Sequence, residues 1–319
     1  MAENKYKLSD KTKEMLNKIG SNIYNNTNVN NNVISNTAVQ NKTSEISTES
    51  LFEYDELKMY FGEPYWVTDK IVITQPAIGD ILNFGDTEFY SIVSTLCANT
   101  TSFRLQLWDA GIDWTKISDY ELFMKLIGRF TPKDTFLIFG DLNLSWFKPY
   151  VKKYTDSDEQ SITLINVPRD EEGNELPVDL DNAIEIDEYV YLRIVDYLRC
   201  MFDIHPKEER NVKGKITKQW VIDEERMNLE AEKTKNKGKE PRKKSFLYPL
   251  ISSMVNHPGF KYKKSELKEV GIVEFMDSVR RLQTYESTMA LMSGMYSGML
   301  DTTKLNLKEE LNWMKDLYK

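Results

Sequence analysis

Residues Phe246–Lys319 read FLYPLISSMVNHPGFKYKKSELKEVGIVEFMDSVRRLQTYESTMALMSGMYSGMLDTTKLNLKEELNWMKDLYK, and this stretch decides the fold of the C-terminal part of the chain. Its apolar and aromatic residues recur at helical spacing, which predicts helices near 246–256, 265–270, 272–299 and 307–318. The stretch has no cysteine and a single histidine, His257. This composition favours a helical docking module over an active site.

Methionine and aromatic side chains are concentrated towards the end of this stretch. A stripe of methionines at helical spacing is typical of a core, but methionine also suits an adaptable groove because its unbranched side chain repacks easily. Aromatic anchors dominate the binding energy of protein interfaces. The residues predicted to contact a partner are Met292, Tyr296, Trp313 and Met314. If a Trp313→Ala variant failed to fold, Trp313 would instead be an ordinary core residue.

Strands and helices are both predicted upstream, in a domain that covers residues 51–204. The β-branched and aromatic composition of strands is found at Tyr65–Thr74, Phe136–Phe139 and Ser161–Val167. Helical spacing is found from Asp80 onward with a break at Gly85, at Tyr120–Gly128 behind a cap at Ser118 or Asp119, and at Ile186–Phe202. The predicted fold class is therefore α+β and predominantly α-helical, with a small mixed sheet in this N-terminal domain.

The remaining segments are distinguished by composition. Residues 1–50 are rich in Asn, Ser and Thr and predict a disordered tail, with a short helix at Lys7–Ile19 that either tethers or docks. Residues 205–244 predict a charged helical connector with its helix at Ile216–Lys235, and carry 13 Lys or Arg against 8 Asp or Glu. The helical C-terminal domain follows at 245–319.

Overall composition narrows the function classes. The 319 residues carry a formal net charge of -8, which argues against a general nucleic-acid binder because phosphate contacts need a basic face. The two cysteines, Cys97 and Cys200, are too few for a disulfide framework and are expected to be small buried hydrophobes. No apolar run reaches the length of a membrane span. These features predict a soluble, intracellular protein.

One short motif resembles an enzyme signature. Gly140-Asp141-Leu142-Asn143 follows a strand-like run, as in metal-dependent phosphatases and nucleases of the endonuclease/exonuclease/phosphatase fold, where the Asp and Asn contact the attacking water and the phosphate. That chemistry also requires an Asp-His pair, and neither His205 nor His257 is part of one. Because Asp-X-Asn is also ordinary turn chemistry, we expect a turn, and a phosphoesterase remains the alternative.

Other candidate sites are weaker. The four Cys and His residues have no spacing typical of a zinc site, and clusters such as Asp187–Glu188 and Asp223–Glu224–Glu225 are expected on solvated helix faces. Gly79-Asp80 at the start of a helix could bind an anion, although one glycine is little evidence. The basic stretch Lys207–Lys244 is either a solvated helix and linker or an electrostatic docking element for an acidic partner or nucleic acid. No cofactor and no catalytic or metal-binding residue is predicted.

Two regions resemble proteins encoded in the structural-gene clusters of tailed bacteriophages of Gram-positive hosts. The first comprises Ile71–Phe89 and Gln106–Phe123, and the second is Phe275–Asp316. In the second region, a run like Gly298–Asp301 leads through a lysine to a final Leu-Asn-Trp-Met, here Leu311–Met314. This resemblance implies a non-enzymatic tail morphogenesis protein, either an assembly chaperone that keeps the helical tape-measure protein soluble or a structural tail or baseplate component.

The same resemblance implies other phage tail proteins as partners, with oligomers allowed, and a location in the host cytoplasm or the virion tail. A membrane partner is not expected, and a nucleic-acid-associated replication or packaging factor that uses Lys207–Lys244 is the remaining alternative. The predicted partner-binding residues lie in the second resembling region.

Overall fold

A computed structural model of the chain describes residues 54–153, 160–170, 172–180, 182–208, 212–235, 245–298, 303 and 305–315. Helices dominate these ranges, and the strands are few and short, which confirms the predominantly α-helical α+β class. The predicted tail 1–50, its helix at Lys7–Ile19 and the linker 236–244 lie outside the described residues.

The helices follow the predicted periodicity over most of the chain. They are α1 (Glu56–Tyr60), α2 (Ile78–Phe84), α3 (Asp86–Leu96), α4 (Arg104–Asp109), α5 (Asp119–Leu126), α6 (Pro132–Phe139), α7 (Glu188–Phe202), α8 (Lys215–Lys235), α9 (Leu247–Asn256), α10 (Ile272–Tyr296) and α11 (Leu307–Glu310). Short 3₁₀ turns lie at Ile127–Arg129, Leu144–Trp146 and Glu266–Lys268.

The strands form two separate antiparallel sheets rather than one mixed sheet. β1 (Tyr65–Trp66) and β2 (Val72–Ile73) form a small hairpin, so the predicted strand Tyr65–Thr74 contains a turn. The second sheet has the order β3-β4-β5, with β3 (Phe147–Lys153), β4 (Gln160–Asn166) and β5 (Glu185–Ile186). The central strand β4 confirms the strand predicted at Ser161–Val167.

Local capping chemistry accounts for several helix boundaries. Ser118 begins α5 with a capping box, in which its hydroxyl accepts from the Glu121 N–H and the Glu121 carboxylate accepts from the Ser118 N–H. Gly85 separates α2 from α3 with a φ of 107°, a backbone conformation that favours glycine. Both features confirm the breaks expected from the sequence.

The predicted strand Phe136–Phe139 is wrong, because these residues end helix α6. Thr131 precedes the helix, Pro132 occupies its first position, and the Asp134 carboxylate accepts from the Thr131 N–H at 2.8 Å. A four-residue apolar run cannot by itself distinguish a strand from a buried helix, and these start signals decide for the helix. The segment Phe147–Lys153 beyond α6 forms strand β3.

Two of the C-terminal helices are shorter than predicted. The helix expected at 265–270 is a 3₁₀ turn at Glu266–Lys268, and the one expected at 307–318 is α11 followed by turns up to residue 315. Leu311, Asn312 and Trp313 follow α11, and none of the three is buried. Without a covered apolar face this segment lacks the packing that stabilises short helices.

An antiparallel bridge joins the N-terminal region to the start of α10. Ala77 and Gly271 face each other in this bridge. The Ile78 N–H donates to the Val270 carbonyl at 2.9 Å, and the Ile272 N–H donates to the Pro76 carbonyl at 3.1 Å. One cluster of buried side chains runs from Met59 to Val279 across this bridge. The division into domains at 204 and 245 stays a prediction.

A second contact holds α10 against the end of α7. Asp203 follows α7 with a φ of 55°, and its carboxylate forms an ion pair with Arg280 of α10 and a 2.9 Å contact with His205 Nε2. The hydrogen bonds and the positive charge of Arg280 hold the pKa of Asp203 below its ordinary value despite partial burial. This ion pair therefore holds α10 against the C-terminal end of α7.

We expect a Gly79→Ala substitution to lower the free energy of unfolding by about 1–3 kcal/mol, as overpacking does in tight contacts. A Cβ at residue 79 would lie 2.7 Å from the backbone carbonyl oxygen of Lys268, which the bridge holds in place. Urea unfolding followed by tryptophan fluorescence measures the change.

The matched control is Gly128→Ala, because a Cβ there meets no atom within 4 Å. We expect this variant to unfold like the parent protein. Equal stability of the two variants would contradict a tight contact at Gly79.

Candidate partner-binding surface

Helix α10 is buried along its first half and exposed along its second. Its 25 residues give it a length of about 37 Å. Ile272 and Phe275 are fully buried and Val279 nearly so, whereas Tyr285 and Tyr296 are exposed. The helix is thus anchored in the core at one end and presents side chains to solvent at the other.

The C-terminal segment 305–315 packs along this exposed half. The Thr288 hydroxyl donates to the Glu310 carbonyl at 3.2 Å, and Arg281 Nη1 donates to the carbonyls of Trp313 and Lys315 at 3.3 and 2.6 Å. Thr288 is buried by this contact, at 3% exposure. The segment therefore lies beside one edge of α10 and leaves a neighbouring strip of the helix open.

That strip carries four large side chains at the spacing i, i+4, i+7 and i+11. They are Tyr285, Met289, Met292 and Tyr296, which lie within about 60° of one another around the helix axis. Tyr296 is 84% exposed, Tyr285 and Met289 are moderately exposed, and Met292 is half-buried. We call these four residues, together with Trp313 and Met314, the C-terminal face.

Trp313 joins the C-terminal segment to the strip. Its ring meets the Tyr285 ring edge-to-face, with centroids 5.6 Å apart and ring planes at 84°. Trp313 is 40% exposed and Met314 is 71% exposed. Neither side chain is fully buried.

The structure places the four predicted contact residues at two ends of this face. Trp313 lies against Tyr285 and Met314 follows it in the chain, whereas Met292 and Tyr296 lie about 10 and 16 Å further along the helix, seven and 11 residues from Tyr285. The prediction omitted Tyr285 and Met289. The repeat of large side chains four and seven residues apart would have identified them.

The motif at Asp141 and Asn143 has the geometry of a turn. The Asn143 side chain accepts from the Ser145 N–H at 3.1 Å and from the Ser145 hydroxyl at 2.7 Å, which caps a 3₁₀ turn. Asp141 is exposed, and the run before it is a helix rather than a strand. Asn143 is therefore engaged in local backbone capping.

The structure also describes the candidate anion site at Gly79 and the groups that could hold a metal. At Gly79 the start of α2 is covered, because the Ile78 N–H donates to Val270 and the Lys268 carbonyl approaches Gly79. Among the described residues, no group of three or more His, Cys, Asp or Glu side chains could hold a metal ion.

Part of the basic stretch fastens α8 to the body. Lys218 Nζ lies 2.7 Å from an Asp113 carboxylate oxygen and donates to the Thr115 hydroxyl. Arg226 pairs with Asp109 of α4. These cations contribute to the packing of α8, so they are not free for an acidic partner.

The carboxylate of Glu188 is expected from the sequence to lie on a solvated helix face, but the structure partly buries it. Burial, together with the negative charges of Glu121, Asp187 and Asp119, raises the pKa of its carboxyl to about 7. Two of these neighbours cap helices, since Asp187 accepts from the Val190 N–H at 2.8 Å and Glu121 belongs to the capping box of α5. The crowding follows from two helix starts that meet.

Two open depressions adjoin along the outer side of α3. They have volumes of about 390 and 520 Å³ and share Ser91 and Thr95. Phe103 and Phe130 contribute apolar walls, one to each. Neither depression includes Glu188 or a residue of the C-terminal face.

No protein-family model, curated protein or solved structure matches the chain. The resemblance to phage tail proteins therefore stays a prediction. In the part of the chain that the structure describes, no helix combines the length and apolar character needed to cross a membrane.

We expect a Glu188→Gln variant to be more stable than the parent protein near pH 7.5 and to lose this advantage near pH 4.5. The folded protein retains the Glu188 proton up to a pKa of about 7, whereas the unfolded chain releases it near its ordinary value. The free energy of unfolding of the parent protein therefore falls as the pH rises towards 7. Glutamine does not titrate, so the variant keeps its stability over this range.

Urea unfolding between pH 4.5 and 7.5 gives the comparison. Glu63→Gln, at an exposed position, controls for the loss of one negative charge. An identical pH dependence for Glu188→Gln and the parent protein would contradict the assignment.

We expect Arg281→Ala to release the C-terminal segment from α10, because it removes the donors to the carbonyls of Trp313 and Lys315. Amide hydrogen exchange across 305–315 should accelerate about fivefold, the equivalent of about 1 kcal/mol. Mass spectrometry of the exchanged peptides measures this. Exposed Arg129, changed to alanine, provides the control, and equal exchange in both variants would contradict the role of Arg281.

Proposed function

We propose that this chain is a non-enzymatic protein of bacteriophage tail assembly, which binds a helical partner such as the tape-measure protein and acts as its assembly chaperone. The observation that carries the proposal is the C-terminal face, where Tyr296 at the end of α10 stays 84% exposed and Met314, next to Trp313 in the chain, stays 71% exposed. Contiguous exposed apolar surface marks interaction sites. The phage setting comes from the resemblance of Ile71–Phe89, Gln106–Phe123 and Phe275–Asp316.

The geometry of the C-terminal face suits an amphipathic helix. Its long axis follows α10, and its side chains recur along about 16 Å of that helix, which matches three turns of a partner helix. Methionine and aromatic side chains together provide adaptable and rigid contacts. Each large side chain that the partner buries contributes about 1.5–3 kcal/mol to the free energy of binding.

Charge adds a second argument for a protein partner. The chain has a formal net charge of -8, and Glu286 and Glu309 lie exposed on the two elements that form the face. Such a surface disfavours adhesion to nucleic acid. The packaging-factor alternative has less support, since Lys218 and Arg226 of the basic stretch pair with Asp113 and Asp109.

A permanent structural role in the tail or baseplate is the second candidate. The same exposed face supports it, because an assembly chaperone and a structural subunit both need a surface for a neighbour. Presence in the finished particle separates the two roles. The phosphoesterase alternative has less support, because its expected strand is helix α6 and Asn143 caps a turn.

We expect Trp313→Ala and Tyr296→Ala each to weaken partner binding by about 2 kcal/mol or more, as interface anchors do, while leaving the fold intact. The tagged full-length chain is purified from cells that produce the phage, and bound proteins are identified by mass spectrometry. Recovery of the tape-measure protein, together with absence of this chain from virions, supports the chaperone role.

Tyr248→Ala is the matched control, because Tyr248 is 70% exposed but lies on α9. We expect this variant to retain the partner. Equal recovery with all three variants would contradict binding through the C-terminal face, and a stoichiometric amount of this chain in virions would identify a structural component instead.

A further inference from the structure

Helix α8 carries a second exposed apolar surface, which the proposed function does not use. Ile216, Trp220 and Met227 are 74%, 71% and 62% exposed. Their spacing places them within about 40° of one another around the helix axis. We call these three residues the α8 stripe.

The opposite side of α8 fixes the outward direction of this stripe. Ile222 is fully buried, Lys218 pairs with Asp113 at 2.7 Å, and Glu225 forms an ion pair with Arg104 of α4. The helix is thus held on the body by one face. Single exposed apolar residues are normal, but an aligned set that includes a tryptophan marks a binding surface.

Carboxylates border the α8 stripe. Asp223, Glu224 and Glu230 lie beside it on the same helix, and Gln219 Nε2 donates to the Asp223 carboxylate at 2.9 Å. A second copy of α8 would bring like charges together, which disfavours pairing of two stripes. A basic amphipathic helix is the complementary occupant.

The N-terminal segment Lys5–Ile19 of the chain has this chemistry. It contains five lysines and two carboxylates, at Lys5, Lys7, Lys11, Lys13, Lys18, Asp10 and Glu14. In a helix, its apolar residues Leu8, Met15 and Ile19 would lie within about 40° of one another. The segment therefore presents one apolar stripe with a basic surround.

The two stripes match in spacing when the segment runs antiparallel to α8. In the α8 stripe, Trp220 lies four residues after Ile216, and Met227 lies seven residues after Trp220. In the N-terminal segment, Met15 lies four residues before Ile19, and Leu8 lies seven residues before Met15. Each stripe spans about 16 Å.

The same register also aligns opposite charges. Lys11 lies on the same flank as Asp223 and within one residue of its level, and Lys7 lies on that flank within two residues of the level of Glu230. A parallel arrangement that pairs Leu8 with Ile216 would instead set Met15 against the carboxylate of Asp223. Burial of a carboxylate against an apolar side chain is unfavourable, so the antiparallel register is preferred.

We propose that residues Lys5–Ile19 dock as an amphipathic helix, antiparallel, on the α8 stripe of the same chain. The 34 residues from 20 to 53 can span up to about 110 Å, so the connection reaches any exposed part of the body. A tether raises the local concentration of the segment to about millimolar. The docked segment explains why α8 retains Trp220 on its outer side, and this site is independent of the C-terminal face.

Photo-cross-linking in the full-length chain tests the docking. A benzophenone amino acid replaces Met15, and the cross-linked peptides are identified by mass spectrometry. We expect cross-links to peptides that contain residues 216–227. Ile216→Asp should lower their yield about tenfold, the equivalent of about 1.4 kcal/mol of lost apolar burial, whereas Tyr248→Asp, at an equally exposed residue of α9, should leave the yield unchanged.

A charge swap tests the register. Lys11→Glu should lower the cross-link yield about threefold at low salt, the range of one exposed ion pair, and addition of Asp223→Lys should restore it. Failure of the second substitution to restore the yield would overturn the antiparallel register.

An equal mixture of ¹⁴N- and ¹⁵N-labelled chains tests whether docking is within one chain. Cross-links within chains of one label support the proposal. Cross-links between labels would overturn it and assign the segment to a second copy, and cross-links equally spread over the body in the parent and Ile216→Asp proteins would overturn the site itself.

Discussion

The antiparallel bridge between Ala77 and Gly271 is the constraint on which the rest of the structure depends. It joins residues almost 200 positions apart with two backbone hydrogen bonds, and it requires the Lys268 backbone to approach Gly79 closely. The bridge lies at the start of both α2 and α10, so it sets where each helix begins. Burial of Ile78 and Ile272, each fully covered, stabilises the crossing from both sides.

The position of α10 follows from this crossing. Its first half is held in the core by the bridge and by the ion pair between Arg280 and Asp203, so its second half extends the helix beyond that core. The segment 305–315 covers one edge of this extension through Arg281 and Thr288. The strip that remains open carries tyrosine and methionine, and it is this uncovered surface that suits a partner helix.

Much of the fold could be predicted from local patterns. The capping box at Ser118, the break at Gly85 and the amphipathic helix α7 all appear in the sequence as residue types at fixed spacing, because their physics involves neighbours within a few positions. The strand predicted at Phe136–Phe139 is wrong because four apolar residues fit a strand or a buried helix equally well. The helix start signal at Thr131–Pro132 decides for the helix. The helix predicted at 307–318 ends at Glu310, and the exposed residues 312–315 that follow lack a covered face.

The sequence by itself determined the secondary-structure class, most helix boundaries and the types of side chain available for a partner. Only the tertiary structure decided which of these side chains stay in solvent. Met292 and Tyr296 differ little in sequence context from the buried residue Phe275, yet their exposure depends on which half of α10 lies in the core. The crowding that raises the pKa of Glu188 likewise needs two helix starts to meet in space. Burial and electrostatic environment depend on contacts between distant residues, and helical periodicity carries no information about those contacts.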